Sequence, residues 1–408
     1  MSLVRRNAEI LLGTEFLTRL LLFFVVIQLA NGLGDERYGE LAYVFAIANL
    51  CVVLADFGIH TYVTRLLAQS TDAWLAQRRA LITLKLIGSI VAWLLTIGIV
   101  SLTNHLSLIV ILAGALAIIA TNGRMFSEAI ARGQQAMHLE GYSKIIHAVI
   151  QGTALLTAIY LTNSLLTIAM VYAITSMMGW LVSVWLVRRP FMNTFTGEHT
   201  ALTKLLPLVT PFALSIAINA QFNYFDSAVL GWFYPKAVVA WYTAAYKPIF
   251  FLTALAGLII TAFFPQIVTL WQNHNVVEVR KTIQRLLMIT TSLGLVIALA
   301  GSWLAKPLID LLYIPEYSPA TLPFIILLWS TVCIFIWAPL GNSLQACGFE
   351  KAYTKNFIIA AIINVPLTVL LIWQYSLIGA AIATAITNLS LVVLMAKDAR
   401  RFLWKKTA

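Results

Sequence analysis

The stretch LIGSIVAWLLTIGIVSLT, residues 86–103, contains no charged residue and decides the class of fold. As an α-helix that rises about 1.5 Å per residue, it would cross most of a hydrocarbon layer roughly 30 Å thick. Similar apolar runs recur along the chain and are separated by short clusters of charged residues. These runs do not alternate polar and apolar residues with period two, which disfavours a lipid-facing barrel. The sequence therefore predicts membrane-spanning helices.

Composition indicates the same class for the whole chain of 408 residues. Hydrophobic residues make up 61% of it, the mean hydropathy is +0.88, and only 11% of the residues are charged. Soluble domains contain about 25% charged residues. A soluble core has no use for so much apolar surface, so we predict an all-α polytopic membrane protein.

Hydropathy indicates about twelve transmembrane helices. The first follows Arg5 and Arg6, as a signal peptide would, but the many later spans favour a permanent helix. The predicted spans lie near residues 10–31, 39–60, 80–102, 106–128, 142–162, 165–187, 204–232, 237–263, 284–304, 321–342, 356–374 and 377–396.

The basic residues indicate how these helices are oriented. With the N-terminus inside, 22 of the 27 Lys and Arg residues fall in cytoplasmic segments, and the outer loops receive only Arg37, Lys236 and Lys306. This bias predicts that both termini are cytoplasmic, in the inner membrane of a cell. The net charge of +11 then mostly reflects the basic residues that mark the cytoplasmic segments. We therefore expect membrane lipid, and no nucleic acid, as a partner.

The chain divides into two halves at a polar stretch. We predict an N-terminal six-helix bundle over 1–190, a cytoplasmic linker over 191–203, and a C-terminal six-helix bundle with a basic tail over 204–408. Residues 134–144 resemble residues 345–355, since Gly-Tyr-Ser-Lys in one matches Ala-Tyr-Thr-Lys in the other. Halves with an even number of spans enter the membrane in the same sense, which predicts parallel bundles around a central cavity.

Motifs for several kinds of chemistry are absent. The sequence has no nucleotide-binding G-x-x-x-x-G-K-[ST] loop, no H-E-x-x-H, no C-x-x-C, and no outer loop long enough to fold alone. Cys51, Cys333 and Cys347 have no paired spacing. We therefore expect no cofactor, no metal and no enzymatic activity. Transport, if that is the task, must run on an ion gradient or on the gradient of its substrate.

A polar stripe marks the seventh predicted span. Ser215, Asn219, Asn223 and Asp226 recur at i, i+4, i+8 and i+11, which places them on one helix face. Such a face lines water, a substrate or another polar helix, because it cannot contact lipid. Interhelical hydrogen bonding is the plainer alternative to a binding role.

The same span contains Pro207 and Pro211, which remove two backbone hydrogen bonds and predict a bend or a broken turn suited to a gating helix. Lys247 lies in the next span at a depth similar to that of Asp226, so the two charges are candidates for a pair. Asp226 is also a candidate for ion coupling.

The first span contains a mid-membrane cation, Arg19, with Glu15 one turn before it. A local pair would satisfy both charges. Alternatively, Arg19 presents a guanidinium to an anionic group such as a pyrophosphate or an acidic sugar. The sequence leaves both interpretations open.

Charged residues nearer the cytoplasm are candidates for the inner mouth of a cavity. Arg124 and Glu128 are one turn apart on the fourth span, and His147 lies on the fifth. We expect Arg132 to be a solvated helix end, and Asp56 to be a cap or a loop anchor rather than a proton carrier.

Short motifs in both halves resemble a known family. The resemblance rests on Asn7, Leu33-Gly34, Tyr38-Gly39, Asp56-Phe57-Gly58, Thr64-Arg65-Leu66-Leu67-Ala68, Asp226 with Leu230-Gly231, and Trp241-Tyr242-Thr-Ala-Ala-Tyr246-Lys247. With these motifs the chain resembles polysaccharide biosynthesis transporters of the O-antigen flippase type, in the multidrug/oligosaccharidyl-lipid/polysaccharide superfamily. The resemblance implies two six-helix bundles that open alternately to either side of the membrane.

The resemblance also implies a substrate, an undecaprenyl-diphosphate-linked oligosaccharide moved outward for a cell-surface polysaccharide such as the O-antigen of lipopolysaccharide. On this hypothesis Arg19 and Lys247 meet the diphosphate, while the stripe of span seven meets the sugar together with Tyr242 and Tyr246. Candidate partners are H⁺ or Na⁺ and a polysaccharide polymerase. The rivals are a cation-coupled multidrug exporter of the same superfamily and, less favoured, a membrane glycosyltransferase or polymerase.

Overall fold

The protein is described here by a computed structural model, which describes residues 3–103, 106–188 and 202–405. Its elements over these ranges are helical. They are α1 (Leu3–Asp56), α2 (Ile59–Gln69), α3 (Thr71–Thr103), α4 (Leu108–Gly133), α5 (Met137–Leu161), α6 (Leu165–Leu186), α7 (Leu202–Phe233), α8 (Lys236–Gln272), α9 (Val276–Leu312), a 3₁₀ helix (Pro315–Ala320), α10 (Thr321–Ala346), α11 (Glu350–Ala399) and a π-helix (Arg400–Lys405).

Two of the long helices contain a break. Gly34 in α1 has φ of 77°, a left-handed value that glycine adopts without a steric penalty. Ser376 in α11 has φ of 51°. Each break falls between two consecutive predicted spans, so a single long element corresponds to two spans of the prediction.

The membrane-spanning class predicted from the sequence is confirmed. Nine helical stretches among the described residues are long and apolar enough to cross a membrane. Each predicted span overlaps an observed helix, but the second, 39–60, runs past the end of α1 at Asp56 into α2, and the count of twelve crossings stays a prediction. α7 runs through Pro207 and Pro211 without the broken turn that the two prolines allowed.

α2 is a short helix that hydropathy did not separate from the second span. Ile59, Val63, Leu66 and Leu67 form its buried face, which packs on α3 and α4. The break before it consists of Phe57, with φ of 40°, and Gly58, with φ of 81°. The motif Asp56-Phe57-Gly58 therefore ends α1 and sets the direction of α2.

The chain forms two compact units, Met1–Ala228 and Val229–Ala408. In the N-terminal unit α1 packs against α3 and α5, and α4 packs against α6. In the C-terminal unit α10 is central and packs against α8, α9 and α11. The predicted linker 191–203 lies almost wholly outside the described residues, so the boundaries drawn from the sequence stay predictions.

The turn after α4 and the turn after α10 share one hydrogen-bond pattern. The left-handed residue is Gln135 in the first and Gly348 in the second. The amide after it bonds back across the helix end, from Ala136 N to Ala131 O at 2.9 Å and from Phe349 N to Leu344 O at 2.8 Å. This is the bonding of a Schellman motif. The two turns lie in the segments whose sequences resemble each other, 134–144 and 345–355.

A candidate ionic site in the N-terminal unit

Glu15 and Arg19, for which a local pair was one of the two interpretations left open, belong to a larger network. Glu15 Oε1 accepts a hydrogen bond from Arg19 Nε at 2.7 Å. Its other oxygen, Oε2, accepts one from Lys144 Nζ at 2.8 Å. The carboxylate thus joins α1 to α5, and Arg19 keeps a side chain that is 39% exposed.

Glu140 is the most deeply buried carboxylate of the network. Its side chain is 1% exposed and lies 3.0 Å from Lys144 Nζ. Arg132 donates to both of its oxygens, from Nη2 at 2.5 Å and from Nε at 3.1 Å. Arg132 lies in the last turn of α4 with a side chain 44% exposed, as expected of a solvated helix end, but its forked guanidinium is also held across the α4–α5 turn by a buried partner.

Arg124 and Glu128 form the third part of the network, as their i, i+4 spacing predicted. The guanidinium of Arg124 contacts Glu128 Oε1, which also accepts a hydrogen bond from Ser143 Oγ at 3.0 Å. Glu128 is 4% exposed. Arg124 Nε is buried and has no hydrogen-bond partner among the described residues, so the guanidinium retains an unused donor.

These residues surround a cavity of about 410 Å³ that lies wholly within the N-terminal unit. The cavity brings together two groups that were predicted at different depths. Arg19 and Glu15 were predicted at mid-membrane, and Arg124, Glu128 and His147 at an inner mouth. Its lining residues are Glu15, Thr18, Arg19, Leu22, Asp56, His60, Thr61, Arg124, Met125, Glu128, Arg132, Lys144, His147, Ala148 and Ile216.

His147, which was predicted to line an inner mouth of the cavity, is 4% exposed. It lies on α5 and its ring packs against α6. Its ring lies so close to Gly179 that a Cβ there would be 2.3 Å from His147 Nδ1. One helical turn on, Gln151 Nε2 donates to Ser176 Oγ at 3.2 Å. The glycine allows α6 to approach the imidazole, which forms part of the cavity wall.

A second polar group, which the sequence analysis did not identify as a site, adjoins the cavity. His60 Nδ1 lies 3.3 Å from Asp56 Oδ2, and His60 Nε2 lies 3.0 Å from Lys85 Nζ. Lys85 also donates to Asn122 Oδ1, and all four residues are buried. Asp56 additionally caps α2, since its Oδ1 accepts from His60 N at 3.2 Å, which agrees with its predicted role as a cap.

A signal for Lys85 was present in the sequence. It is an ionisable residue within an otherwise apolar span, and such residues default to functional candidates. The orientation predicted from the basic residues instead counts Lys85 among the 22 Lys and Arg residues of cytoplasmic segments. His60 follows Asp56 by four residues, the spacing of helical neighbours.

The polar stripe of α7 runs along one helix face, as predicted. Asn223 Nδ2 donates to Asn219 O at 2.7 Å and lies 3.3 Å from Asn219 Oδ1. Ser215 and Asn219 are exposed, whereas Asp226 is 7% exposed. The α7 residue that lines the ionic cavity is Ile216, so the stripe lies outside that cavity.

The candidates in the C-terminal unit lie on α8. Tyr242 is 3% exposed, stacks on Tyr246 with ring centroids 5.9 Å apart, and lies 3.3 Å from Thr384 Oγ1 through its hydroxyl. It is therefore mainly a packing residue of this unit. Lys247 is partly buried on the same helix.

The net charge of the network determines which kind of ligand it can bind. Arg19, Arg124, Arg132 and Lys144 face three carboxylates, those of Glu15, Glu128 and Glu140. The network thus has one cation in excess, on helices that hold the charges in fixed positions. Forked guanidinium groups are suited to phosphate or carboxylate oxygens, so the cavity favours an anion.

Comparison with known families gives two matches. The sequence model of the family described as polysaccharide biosynthesis protein matches residues 4–271. The model of the MatE family matches residues 211–370. The first match covers well over half of the chain and includes the whole ionic network.

A curated relative covers nearly the same length. A probable low-salt glycan biosynthesis flippase of Haloferax volcanii is 22% identical over 401 residues, which is 95% of this chain and 81% of the relative.

Solved structures share the fold. The lipid II flippase MurJ, in an inward closed conformation, gives a TM-score of 0.71 with 14% identity, over 95% of this chain and 86% of MurJ. An inward-facing multidrug resistance transporter of the MATE family and MOP superfamily gives 0.69 with 14% identity, over 96% of each chain. The match over residues 4–271 assigns the chain to a family: it belongs to the polysaccharide biosynthesis protein family.

Proposed function

We propose that this protein is a flippase for a polyprenyl-diphosphate-linked oligosaccharide. Its family and relatives support a multi-pass membrane transporter of the flippase type, and the relatives reported above are named as flippases or transporters rather than enzymes. We further propose that it acts in the cytoplasmic membrane, with both termini inside, and moves undecaprenyl-linked substrate to the outer leaflet.

The observation that carries this proposal is the cavity lined by Arg19, Arg124, Arg132 and Lys144. A sugar and a diphosphate cannot enter hydrocarbon without losing their hydration, whereas an apolar polyprenyl tail is soluble in it. The protein therefore needs to supply only a polar, partly cationic surface for the head group. The four cations, which outnumber the carboxylates of their network by one, supply that surface.

Each site residue has a proposed role. Arg19 and Lys247 contact the diphosphate, and the α7 stripe, Ser215, Asn219 and Asn223, contacts the sugar. We propose that Tyr242 and Tyr246 also meet the sugar. Asp226 couples transport to H⁺ or Na⁺, and we propose a polysaccharide polymerase as a functional partner.

A multidrug exporter is the second candidate, because the MatE match covers residues 211–370 and a MATE transporter shares the fold. An exporter of cationic drugs needs acidic residues in an apolar cavity. The ionic cavity instead has four basic side chains against three acidic ones, Glu15, Asp56 and Glu128, so it offers no excess of negative charge to such a substrate. The chemistry of this cavity therefore favours the glycan carrier.

The test is export in a strain whose own copy is deleted. We expect the deletion to leave lipid-linked glycan on the inner leaflet and Arg19→Ala to reduce its export at least tenfold, since the mid-membrane cation is lost. Arg19→Lys should recover part of the export, because the charge survives but the fork does not. Export is measured as surface glycan per unit of membrane-inserted protein.

Lys281→Ala is the matched control, because Lys281 is a basic residue 65% exposed on α9 and pairs with Glu278 at 2.7 Å. It should export normally. Full export by Arg19→Ala would reduce Arg19 to a structural partner of Glu15. Rescue of dye efflux instead of glycan export would favour the drug exporter.

A further inference from the structure

The buried relay comprises Asp56, His60, Lys85 and Asn122, and it is separate from the residues proposed to bind substrate. It links the end of α1 through α2 to α3 and α4. Its links are the 3.3 Å contact of Asp56 with His60, the 3.0 Å contact of His60 with Lys85, and the hydrogen bond from Lys85 to Asn122.

With Lys85 protonated, the contacts leave one arrangement of protons. A Lys85 ammonium can only donate, so His60 Nε2 accepts and His60 Nδ1–H donates to Asp56 Oδ2. The imidazole is then neutral, and the Lys85 cation balances the Asp56 carboxylate across it. The relay as a whole carries no net charge, which makes its burial affordable.

The two ends of the relay lie in different surroundings. Asp56 and His60 line the ionic cavity. Lys85 lies at the base of a separate apolar cleft of about 250 Å³, whose lining includes Leu86, Ile90 and Trp93. A proton can therefore arrive from the polar cavity, whereas the apolar side offers it no path.

We propose that the relay is a proton-binding site, and that one proton from the cavity binds to the Asp56 carboxylate. Hydronium in the cavity gives up its proton, an O–H bond forms on Asp56, and water remains. His60 stays neutral, because an imidazolium 3.0 Å from the Lys85 ammonium would place two like charges in contact. The loaded relay carries one positive charge. Coupling of this proton to transport rests on the flippase function proposed above.

Charged groups from each neighbouring element influence this step. α2 packs on α3 and α4, while Leu205 and Val209 of α7 cover it with apolar side chains. The titratable and charged groups of this region include Glu15, Arg19 and Asp56 on α1, Arg65 on α2, Arg78 and Lys85 on α3, Arg124, Glu128 and Arg132 on α4, and Lys144 and His147 on α5.

Proton binding has a mechanical consequence at the α1–α2 junction. Asp56 Oδ1 accepts the hydrogen bond from His60 N that fixes the start of α2, and a neutral carboxyl accepts more weakly than a carboxylate. The junction also supports α7, since a Cβ on Gly58 would lie 2.6 Å from both Val209 O and Phe212 Cβ. A change at Asp56 is thereby passed to α7, the helix that contains the polar stripe.

The first experiment needs no substrate. Infrared difference spectra of the purified full chain in lipid nanodiscs are recorded as the pH is lowered. We expect a carboxylic-acid band that Asp56→Asn removes and Asp56→Glu retains at a shifted frequency, within the working range of about pH 5–8. His60→Gln and Lys85→Met should each shift the midpoint of that band by at least one pH unit.

Tyr62→Phe is the matched control, because it removes a hydrogen bond from the same helix, Tyr62 Oη to Gln77 Oε1 at 2.7 Å, without touching the relay. It should leave the band and its midpoint unchanged. An Asp56 band that is absent over this range, or that His60→Gln and Lys85→Met leave unmoved, overturns the proposal.

The second experiment measures coupling, using undecaprenyl diphosphate with a short fluorescent oligosaccharide in vesicles. A pH gradient should accelerate its flipping by wild type and by Tyr62→Phe, and the ratio of rates with and without the gradient should fall in Asp56→Asn, any remaining dependence being due to Asp226. A ratio that Asp56→Asn leaves intact rejects coupling through the relay. If wild type flips no probe at all, the flippase proposal fails, while the infrared result still decides whether the relay binds a proton.

Discussion

The two units use buried polar groups in different ways. In the N-terminal unit several buried side chains are charged, among them Asp56, Lys85, Glu128 and Glu140, and they lie in or beside the wall of one cavity. In the C-terminal unit the central helix α10 is joined to α11 by neutral amides and hydroxyls. Asn388 accepts from Trp337 Nε1 at 3.0 Å and donates to Ser330 Oγ at 2.9 Å.

Neutral pairs also occur within α11 of the C-terminal unit, on either side of its break. Asn364 Nδ2 donates to Thr387 Oγ1 at 2.8 Å, and both residues are at most 3% exposed. Such bonds hold helices together in membranes at a modest gain, roughly 1 kcal/mol each. They also leave no net charge for a ligand to recognise.

The difference teaches that buried charge is concentrated in the N-terminal unit, whereas neutral hydrogen bonds join the helices of the C-terminal unit. Buried charges cost several kcal/mol to desolvate and are kept only where they are paired or serve a function. The N-terminal unit carries that cost in a network with one cation in excess. We therefore expect substitutions of buried charges in the N-terminal unit to have larger effects than substitutions of neutral polar groups in the C-terminal unit.

The largest effect is expected from Glu140→Gln. Glu140 is 1% exposed and pairs with both Arg132 and Lys144, so its loss leaves Arg132 without its carboxylate and Lys144 with Glu15 alone. Breaking a buried ion pair costs about 3–5 kcal/mol. The yield of monodisperse protein and its thermal unfolding in detergent should both fall sharply.

Glu278→Gln in the C-terminal unit is the control for Glu140→Gln. Glu278 also pairs with a lysine, Lys281, at 2.7 Å, but its side chain is 46% exposed. An exposed pair contributes about 0–1 kcal/mol, so the unfolding temperature should change little. Equal stability of the two variants would show that burial does not distinguish the networks of the two units.

The sequence predicted the parts of the ionic network that are local. Glu15 with Arg19 and Arg124 with Glu128 are one helical turn apart, so periodicity alone places each pair on one face. Hydropathy predicted the helices because it sums over many residues. Asp56 was expected to be a cap, and it does cap α2.

The sequence could not predict the contacts between helices that form the cavity. Lys144 is 129 residues from Glu15, and nothing in either segment indicates that α1 and α5 are neighbours. The Schellman turn after α4 brings Arg132 back to Glu140, a contact that depends on the path of the chain rather than on helical periodicity. For the same reason His60 and Lys85, on different helices, were not recognised as partners.

An intermediate effect is expected from Gly179→Ala in the N-terminal unit. A Cβ at this position would lie 2.3 Å from His147 Nδ1, so the imidazole or α6 must shift. Overpacking of this kind costs about 1–3 kcal/mol. Thermal unfolding in detergent should report the loss, and Arg19-dependent glycan export should fall as the cavity wall moves.

Gly257→Ala provides the opposite case in the C-terminal unit. Gly257 lies within α8, and a Cβ there would meet nothing within 4 Å. Alanine is favoured over glycine in a helix by up to about 1 kcal/mol, so this variant should be as stable as wild type or slightly more stable. If Gly179→Ala were equally harmless, the close packing of α6 on His147 would not restrain the cavity.

The smallest effect is expected from Asn388→Ala, the neutral counterpart of Glu140→Gln. Asn388 joins α11 to Trp337 and Ser330 of α10 and also bonds to Thr384 O at 3.1 Å in its own helix. Because no charge is left unpaired, the loss should be about 1–2 kcal/mol, the range of interhelical hydrogen bonds in membranes. Asn342→Ala is the control, since Asn342 Nδ2 bonds only within α10, to Ala338 O at 2.9 Å among its described contacts, and it should cost less. The unfolding temperatures of the three variants test whether buried charge distinguishes the two units. If Asn388→Ala destabilises the protein as much as Glu140→Gln does, neutral polar contacts are as costly to break as buried ion pairs. Charge is then not what separates the two units.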